Sequence, residues 1–396
     1  MTAADPSILL RGIVETLPEG ELLARARKGK LRVKFGADPT APDLHLGHMV
    51  VLRKLRQFQD LGHTVVFIIG DFTARVGDPS GRNATRPPLE PEVIEANART
   101  YMDQVFLILD CLKTEVVRNG DWLSKMDFAD VLRLASQQTV AQILHRRDFR
   151  QRIDAEDDVM LHEFLYPVMQ GYDSVFVRAD VELGGSDQKF NLLVGRDLQQ
   201  KAGQPPQCIL TLPLLVGTDG KQKMSKSYGN YIAFRDSPEE MYGKIMSIPD
   251  EIMWDYWLLL TDRGEQEIAG QRAACVAGQK NPRDVKADLA KTLVTFFHGS
   301  PSAAAAESHF QNVVVGKQAP GEIEEFVADR SALIDLAGLL VSAGLVPSKS
   351  EARRMIRAGA VYINGARIAD VSSHRPADGD LIKVGKRKFV RVKVLS

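Results

Sequence analysis

The feature that most constrains this chain is a recurrence: five strand-sized apolar runs separated by stretches with helical spacing. The run at 63–70, HTVVFIIG, is apolar without alternation, as a strand covered on both faces has to be. It follows a helical pattern over 46–61, in which Met49, Leu52, Leu55, Arg56 and Gln59 recur at mixed amphipathic spacing. The other runs are LRVKFG at 31–36, TEVVR at 114–118, DSVFVRA at 173–179 and QCILTLPLL at 207–215. Helical patterns at 91–108, 130–147, 157–171 and 187–202 separate them. This order predicts a doubly wound α/β domain over roughly 30–225.

After Tyr231 the strand signal fades. SPEEMYGKIMSI carries a helix start, with Ser237 as candidate N-cap, Pro238 in the first turn and Glu240 three residues after the serine. Further helices at 250–260 and 282–298 predict a helical domain to about 325, while GSPSAAAAES at 299–308 fits either a loose connection or an alanine-rich helix. LIDLAGLLVSAGL and KSEARRMIRAG read as two more helices, the second stopped by Gly359. AVYINGARI is a hairpin around Asn364-Gly365, and DLIKVGKRKFVRVKV continues as strand. The expected division is 1–230 with an N-terminal extension, 231–325 and 331–396.

Charge separates these parts. The chain of 396 residues is neutral, with 51 basic and 51 acidic side chains. From Ser331 to Ser396, 12 Lys or Arg stand against 5 Asp or Glu, a surplus of +7 that the rest of the chain balances. An acidic body with a basic tail is a poor general polyanion binder joined to a good one. Cys111, Cys208 and Cys275 are too few and too scattered for a disulfide framework or a cysteine-rich metal site. No apolar run approaches the roughly 20 residues of a membrane helix, and the opening MTAADPSILL lacks secretory features, so a cytoplasmic protein without a membrane partner is expected.

Two segments point to anions. GTDGKQKMSKSYGN, 217–230, places Lys221, Lys223 and Lys226 among small residues and hydroxyls. It reads either as a solvated loop or as a clamp for a polyanion. DPTAPDLHLGH, 38–48, joins the first strand to the first helix, where ligands sit in open α/β sheets and helix amides attract phosphate. His45 and His48 share one side of a first helical turn, and Gly47 between them lets backbone approach a flat ligand. A metal pair is the alternative, but no third ligand has suitable spacing. Neither a GxGxxG fingerprint nor a Walker A loop is present. In EFLYPVMQGYD, Tyr166, Gln170 and Asp173 are spaced by four and three, which puts three polar groups on one helical face, either toward solvent or toward a ligand.

Taken in order, HLGH, GDPSGR, GGSDQKFN and KMSKS resemble the class I aminoacyl-tRNA synthetases, and the set is similar to that of the bacterial tyrosyl-tRNA synthetases over essentially the whole chain. The resemblance implies a Rossmann-like catalytic domain, a helical anticodon-recognition domain, a C-terminal S4-like α+β RNA-binding domain and a homodimer. It implies L-tyrosine, ATP with Mg2+ and tRNA(Tyr) as ligands, with no tightly bound protein-ligated metal. By the same resemblance His45, His48 and Thr40 contact the nucleotide phosphates, and Lys223 and Lys226 neutralise departing pyrophosphate. Asp173 accepts the substrate phenol; Tyr166, Gln170 and Asp78 hold its α-ammonium; Gln188 and Asp38 lie nearby. Gly47, Gly185, Asp187, Met224 and Ser225 are carried over as ATP contacts. Lys349, Arg353 and Arg357, one charged stripe opposite Met355 and Ile356, join Lys386, Arg387 and Lys388 as the RNA surface.

One position departs from the better-known bacterial pattern. Where that pattern has a tyrosine two residues before the strand-end glycine, contacting the substrate hydroxyl, this chain has Lys34, which leaves more of the recognition to Asp173. Two alternatives stand beside this reading. A tryptophanyl enzyme shares the fold and both signatures, but Asp173, Tyr166 and the tail favour a phenol. A noncatalytic RNA-binding relative would not need the triphosphate residues that this chain retains.

Overall fold

A computed structural model describes residues 5–79, 90–315, 325–328, 335–368, 370, 376–385 and 388–394. Contacts divide it into two compact units, Met1–Ser237 with Lys244–Leu293, and Pro238–Gly243 with Val294–Ser396.

The first unit is built on six strands: β1 (Glu15–Leu17), β2 (Arg32–Ala37), β3 (Thr64–Ile69), β4 (Thr114–Arg118), β5 (Val181–Gly185) and β6 (Cys208–Leu212). Their order in the sheet is β1-β6-β5-β2-β3-β4; only β1 runs antiparallel to its neighbour. The helices through the sheet region are α1 (Glu21–Lys28), α2 (Leu46–Asp60), α3 (Thr73–Val76), α4 (Pro91–Val105), α5 (Gly120–Leu123), α6 (Phe128–Ala135), α7 (Val140–Leu144), α8 (Arg147–Asp154), α9 (Leu161–Val177) and α10 (Lys189–Lys201). β3 shows why the sheet lies inside: Val65, Val66, Phe67, Ile68 and Ile69 are all buried, which an unalternating apolar run permits only between two helical layers. From β2 the chain winds outward through β3 to β4, then returns to β5 on the other side of β2. That reversal opens a crevice at the carboxyl ends of β2 and β5.

Three expectations need correction. The run 173–179 is no strand: α9 continues through Val177, and the strand is the following VELGG. Burial decides this, because Ser174 and Val177 face inward while Phe176 is 53% exposed, a helical rather than an alternating pattern. Packing of α9 against α10 thus overrides the β-propensity of Val175-Phe176-Val177, and Arg178 ends the helix in the left-handed region at φ 51°. The single helix expected over 130–147 is three, because Thr139 starts a new one with a capping box to Gln142. The sheet also begins earlier than expected, since Glu15–Leu17 adds β1 to its edge.

Beyond the sheet come α11 (Pro238–Ser247), α12 (Met253–Leu260), α13 (Glu265–Val276), α14 (Pro282–His298) and α15 (Ser300–His309). The alanine-rich stretch is therefore helical. In the second unit, α16 (Leu336–Ser342) and α17 (Lys349–Arg357) share a core with five strands, β7 (Glu325–Ala328), β8 (Val361–Ile363), β9 (Ala366–Ile368), β10 (Leu381–Val384) and β11 (Lys388–Val394), ordered β7-β11-β10-β8-β9. Leu336, Leu340, Ile356, Val361, Ile382 and Val390 fill that core. The β8–β9 hairpin turns on Asn364 and Gly365 at φ 49° and 84°, the two positive values a type I′ turn demands.

Candidate active site

The crevice at the strand reversal is a cleft of about 660 Å³, within the range of small-ligand sites. One wall follows β2: Asp38 and Thr40 lie in the connection to α2, and His45, Gly47 and His48 form the first turn of that helix. The opposite wall follows β5, where Gly185, Asp187 and Gln188 lead into α10. Tyr166, Gln170 and Asp173 of α9 line the same space, as does Asp78. Lys223, Met224 and Ser225 close it from the lysine loop. Ser80, Gly81 and Arg82 of the GDPSGR motif lie outside the described residues.

The α9 face is tied down by a polar chain. Tyr166 donates its hydroxyl to Asp38 Oδ2 at 2.8 Å, and Thr73 Oγ1 donates to Asp38 Oδ1 at 2.7 Å. Asn119 Nδ2 donates to Thr73 Oγ1 at 2.9 Å and to Asp173 Oδ2 at 3.3 Å, while Trp122 Nε1 donates to Asp173 Oδ1 at 2.9 Å. Thr73, Asn119 and Trp122 escaped the sequence reading because they come from two short helices remote in the chain. On the β5 side Gln188 Nε2 donates to Asp78 Oδ2 at 2.8 Å, and Asn191 Nδ2 donates to Gln170 Oε1 at 2.8 Å and Gln188 Oε1 at 3.0 Å. Lys34 does not line the cleft; its ammonium lies beneath α9, paired with Glu182.

Burial controls the charges here. It raises the Asp38 carboxyl to about 7, with neighbouring Asp78 adding to the effect against the hydrogen bond from Thr73. Burial likewise lifts Asp173 to about 6 against the opposing charge of Lys34, and pushes the Tyr166 hydroxyl well above its ordinary value. Such a site favours a cation beside its carboxylates and a hydroxyl donor at Asp173.

The histidine end is built as a neutral donor pair. His45 Nδ1 accepts from the Gly47 amide at 3.2 Å, and His48 Nδ1 accepts from the His45 amide at 3.2 Å. Each bond leaves the proton of a neutral imidazole on Nε2. Burial, then the charge of Lys226, hold His48 down at about 4; burial, His48 and Lys226 lower His45 further. Both rings are therefore uncharged donors at neutral pH.

The lysine loop is held beside them by backbone. His45 and Ala233 form an antiparallel bridge, and Leu46 donates its amide to Ile232 O at 3.0 Å. Buried Asn230 staples the loop, accepting from the Ser225 amide at 2.8 Å and donating to Asp219 Oδ2 and Lys223 O at 3.2 Å. Lys223 Nζ pairs with Asp187 Oδ2 at 2.9 Å. Lys226 stands behind the cleft lining, and its Nζ is buried without a hydrogen-bond partner among the described residues. Burial lowers its pKa. Among the described residues no group of three His, Cys, Asp or Glu side chains is placed to hold a metal ion.

In the second unit Arg353 and Arg357 are exposed on α17, Lys349 pairs with Asp335 at 2.7 Å, and exposed Lys388 donates to Leu345 O at 2.7 Å. Ile356 is buried and Met355 packs against the core, the inner face the stripe implied. Lys386 and Arg387 lie outside the described residues.

The family model of the class I tRNA synthetases (W and Y) matches residues 26–314, and that of the tyrosine–tRNA ligase SYY-like C-terminal domain matches residues 317–392. A tyrosine–tRNA ligase of Thermotoga maritima is 55% identical over 97% of this chain and 96% of its own length. One from Haemophilus influenzae is 54% identical over 98% and 96%. The solved tyrosyl-tRNA synthetase of Archaeoglobus fulgidus, complexed with L-tyrosine, superposes with a TM-score of 0.62 at 26% identity, covering 76% of this chain and 98% of that one.

Proposed function

The chain belongs to the class I tRNA synthetases of the tryptophan and tyrosine group, on its tyrosine branch, and we propose that the cleft between β2 and β5 carries out the activation step. The enzyme activates L-tyrosine with ATP to tyrosyl-adenylate and pyrophosphate, then transfers the tyrosyl group to tRNA(Tyr). The observation that carries the mechanism is the meeting, in one cleft, of two neutral histidine donors, the lysine loop and a buried acceptor at Asp173.

The substrate carboxylate is the nucleophile and pyrophosphate the leaving group, so no protein nucleophile is needed. The protein orients the reactants and stabilises charge growing on phosphate oxygens. Asp173, held by Trp122 and Asn119, accepts the phenol hydroxyl. The α-ammonium sits among Asp78, Tyr166 and Gln170, with Asp38 and Gln188 beside them. The carboxylate then points toward Thr40, His45 and His48, where Nε2–H donors meet the α-phosphate. Adenosine lies along Gly47, Gly185, Asp187 and Met224, and ATP brings Mg2+ on its phosphates as part of the substrate. Lys223 exchanges its Asp187 partner for pyrophosphate, and Lys226 and Ser225 follow as the loop closes.

On this reading residues 1–230 activate tyrosine, 231–325 contact the anticodon and 331–396 form an S4-like module on which Lys349, Arg353, Arg357, Lys386, Arg387 and Lys388 grip RNA. A homodimer is supported by apolar side chains left in solvent on α6, α7 and the start of α9, including Phe128 at 77% and Leu161 at 79% exposure, with Leu132 and Val140. No helix among the described residues is long and apolar enough to cross a membrane, and we place the enzyme in the cytoplasm. Tyrosine-dependent exchange of pyrophosphate into ATP without tRNA, followed by charging when tRNA(Tyr) is added, tests the whole reading.

A further inference from the structure

Behind the tyrosine end of the cleft lies an ion pair that the mechanism above does not use. Lys34 of β2 is 0% exposed and Glu182 of β5 is 1% exposed, and their charged atoms meet at 2.7 Å. Lys34 Nζ spends its other two donors on Gln170 O and Ser174 Oγ, both at 2.8 Å. Glu182 accepts from Ser174 Oγ at 2.9 Å, from Gln170 Nε2 at 3.3 Å and from Gln207 Nε2. The pair therefore grips α9 at residues 170 and 174, on either side of Asp173. Two charges this deep add little net stability compared with an apolar pair of the same volume. Apart from Gln207, their partners are the backbone and side chain of one cleft residue, Gln170, and the hydroxyl next to another, Asp173.

We propose that Lys34 and Glu182 are positioning residues for tyrosine specificity, fixing the turn of α9 that presents Gln170 and Asp173 to the substrate. This deepens the tyrosine reading and rests on it. The connection continues beyond α9: Gln170 Oε1 accepts from Asn191, which also donates to Gln188, which donates to Asp78. Three cleft residues thus hang on a chain that starts at the pair. The charge of Lys34 also favours the ionised form of Asp173, the stronger acceptor for a phenol hydroxyl, whereas Glu182 opposes it. In this chain, then, the lysine that replaces a substrate-contacting tyrosine supports the acceptor from behind instead of touching the substrate.

The test compares tyrosine and phenylalanine in pyrophosphate exchange for the wild type, Lys34→Arg, Lys34→Met and the double variant Lys34→Met/Glu182→Gln. The double variant leaves no unpaired buried charge, and its new amide side chain can still bond Ser174 and Gln207, so it keeps the experiment open if Lys34→Met alone fails to fold. Weakening one hydrogen bond to a charged acceptor is worth roughly 10- to 100-fold. The ratio of kcat/KM for tyrosine over phenylalanine is to fall by that factor in Lys34→Met and in the folded double variant. The loss is to appear in KM for tyrosine, with KM for ATP within about twofold of wild type. Lys34→Arg, which keeps the charge, is to recover part of the ratio. A folded double variant with the wild-type ratio would overturn the inference, since a merely structural pair can be replaced without cost to specificity. Absence of tyrosine-dependent exchange in the wild type itself would instead remove the substrate reading, and this inference with it.

Discussion

Replacing Lys226 with Met should move stability and activity in opposite directions. In the free protein Lys226 Nζ is buried with no hydrogen-bond partner among the described residues, and burial has already lowered its pKa. An unsatisfied buried donor costs about 1–3 kcal/mol, so an apolar side chain of similar length leaves the free enzyme as stable or up to about 1 kcal/mol more stable. On the proposed mechanism the ammonium meets charge released onto pyrophosphate once the loop closes, a contact worth roughly 2.7–4 kcal/mol, or about 10²- to 10³-fold in rate. Single-turnover adenylate formation should fall by that factor, with tyrosine affinity within about twofold of wild type and the urea midpoint unchanged or raised. Lys223→Met should cost less, because Lys223 must first give up its 2.9 Å pair with Asp187. A Lys226→Met enzyme with full adenylate rate, or one whose loss lies wholly in tyrosine affinity, would refute this role for the loop.

Tyrosine binding should weaken in acid because of the buried carboxylates Asp38 and Asp173, not the histidines. Asp38 is raised to about 7 and Asp173 to about 6, whereas His48 stays neutral down to about 4, so KM for tyrosine in pyrophosphate exchange should rise at least about tenfold from pH 8 to pH 6; a flat profile would contradict this role of the buried carboxylates. The sign for the free protein is opposite: folded Asp38 holds a proton that the unfolded chain has lost between about pH 4 and 7, so this residue's contribution to stability falls as pH rises through that window, as chemical denaturation can check. Deletion from Ser331 should leave adenylate formation within about threefold while tRNA charging drops at least tenfold; equal loss of both in a folded truncation would contradict separate roles for the two parts. Phe128→Asp, at a 77% exposed position of α6, should shift sedimentation toward monomer if a second copy covers α6, and an unchanged dimer would show that the interface lies elsewhere.

The sequence was most legible where the physics is local. The apolar run of β3, the Asn364-Gly365 turn and the placement of Tyr166, Gln170 and Asp173 on one helical face all depend on residues a few positions apart. Val175-Phe176-Val177 misled because β-branched and aromatic residues favour strands when read alone, whereas packing of α9 on α10 selects helix. The supports of the cleft were invisible for another reason. Trp122 reaches Asp173 across 51 positions and Lys34 reaches Glu182 across 148, and no spacing rule links such pairs. Asn230 is an intermediate case: it lies inside the quoted lysine loop, yet only the folded loop reveals that it binds Ser225, Asp219 and Lys223 together.

On the proposed mechanism this cleft selects an amino acid by its phenol and activates the carboxylate on ATP. Pyrophosphate exchange into ATP, measured in parallel with tyrosine, tryptophan and phenylalanine and without tRNA, tests it most directly. Exchange driven by tyrosine, with tryptophan at background and phenylalanine lower by roughly 10⁴-fold or more, is the predicted result; tyrosyl-tRNA synthetase is itself the reference case for the size of that factor. Exchange driven by tryptophan and not by tyrosine would contradict the assignment of Asp173 and, with it, the account of the site.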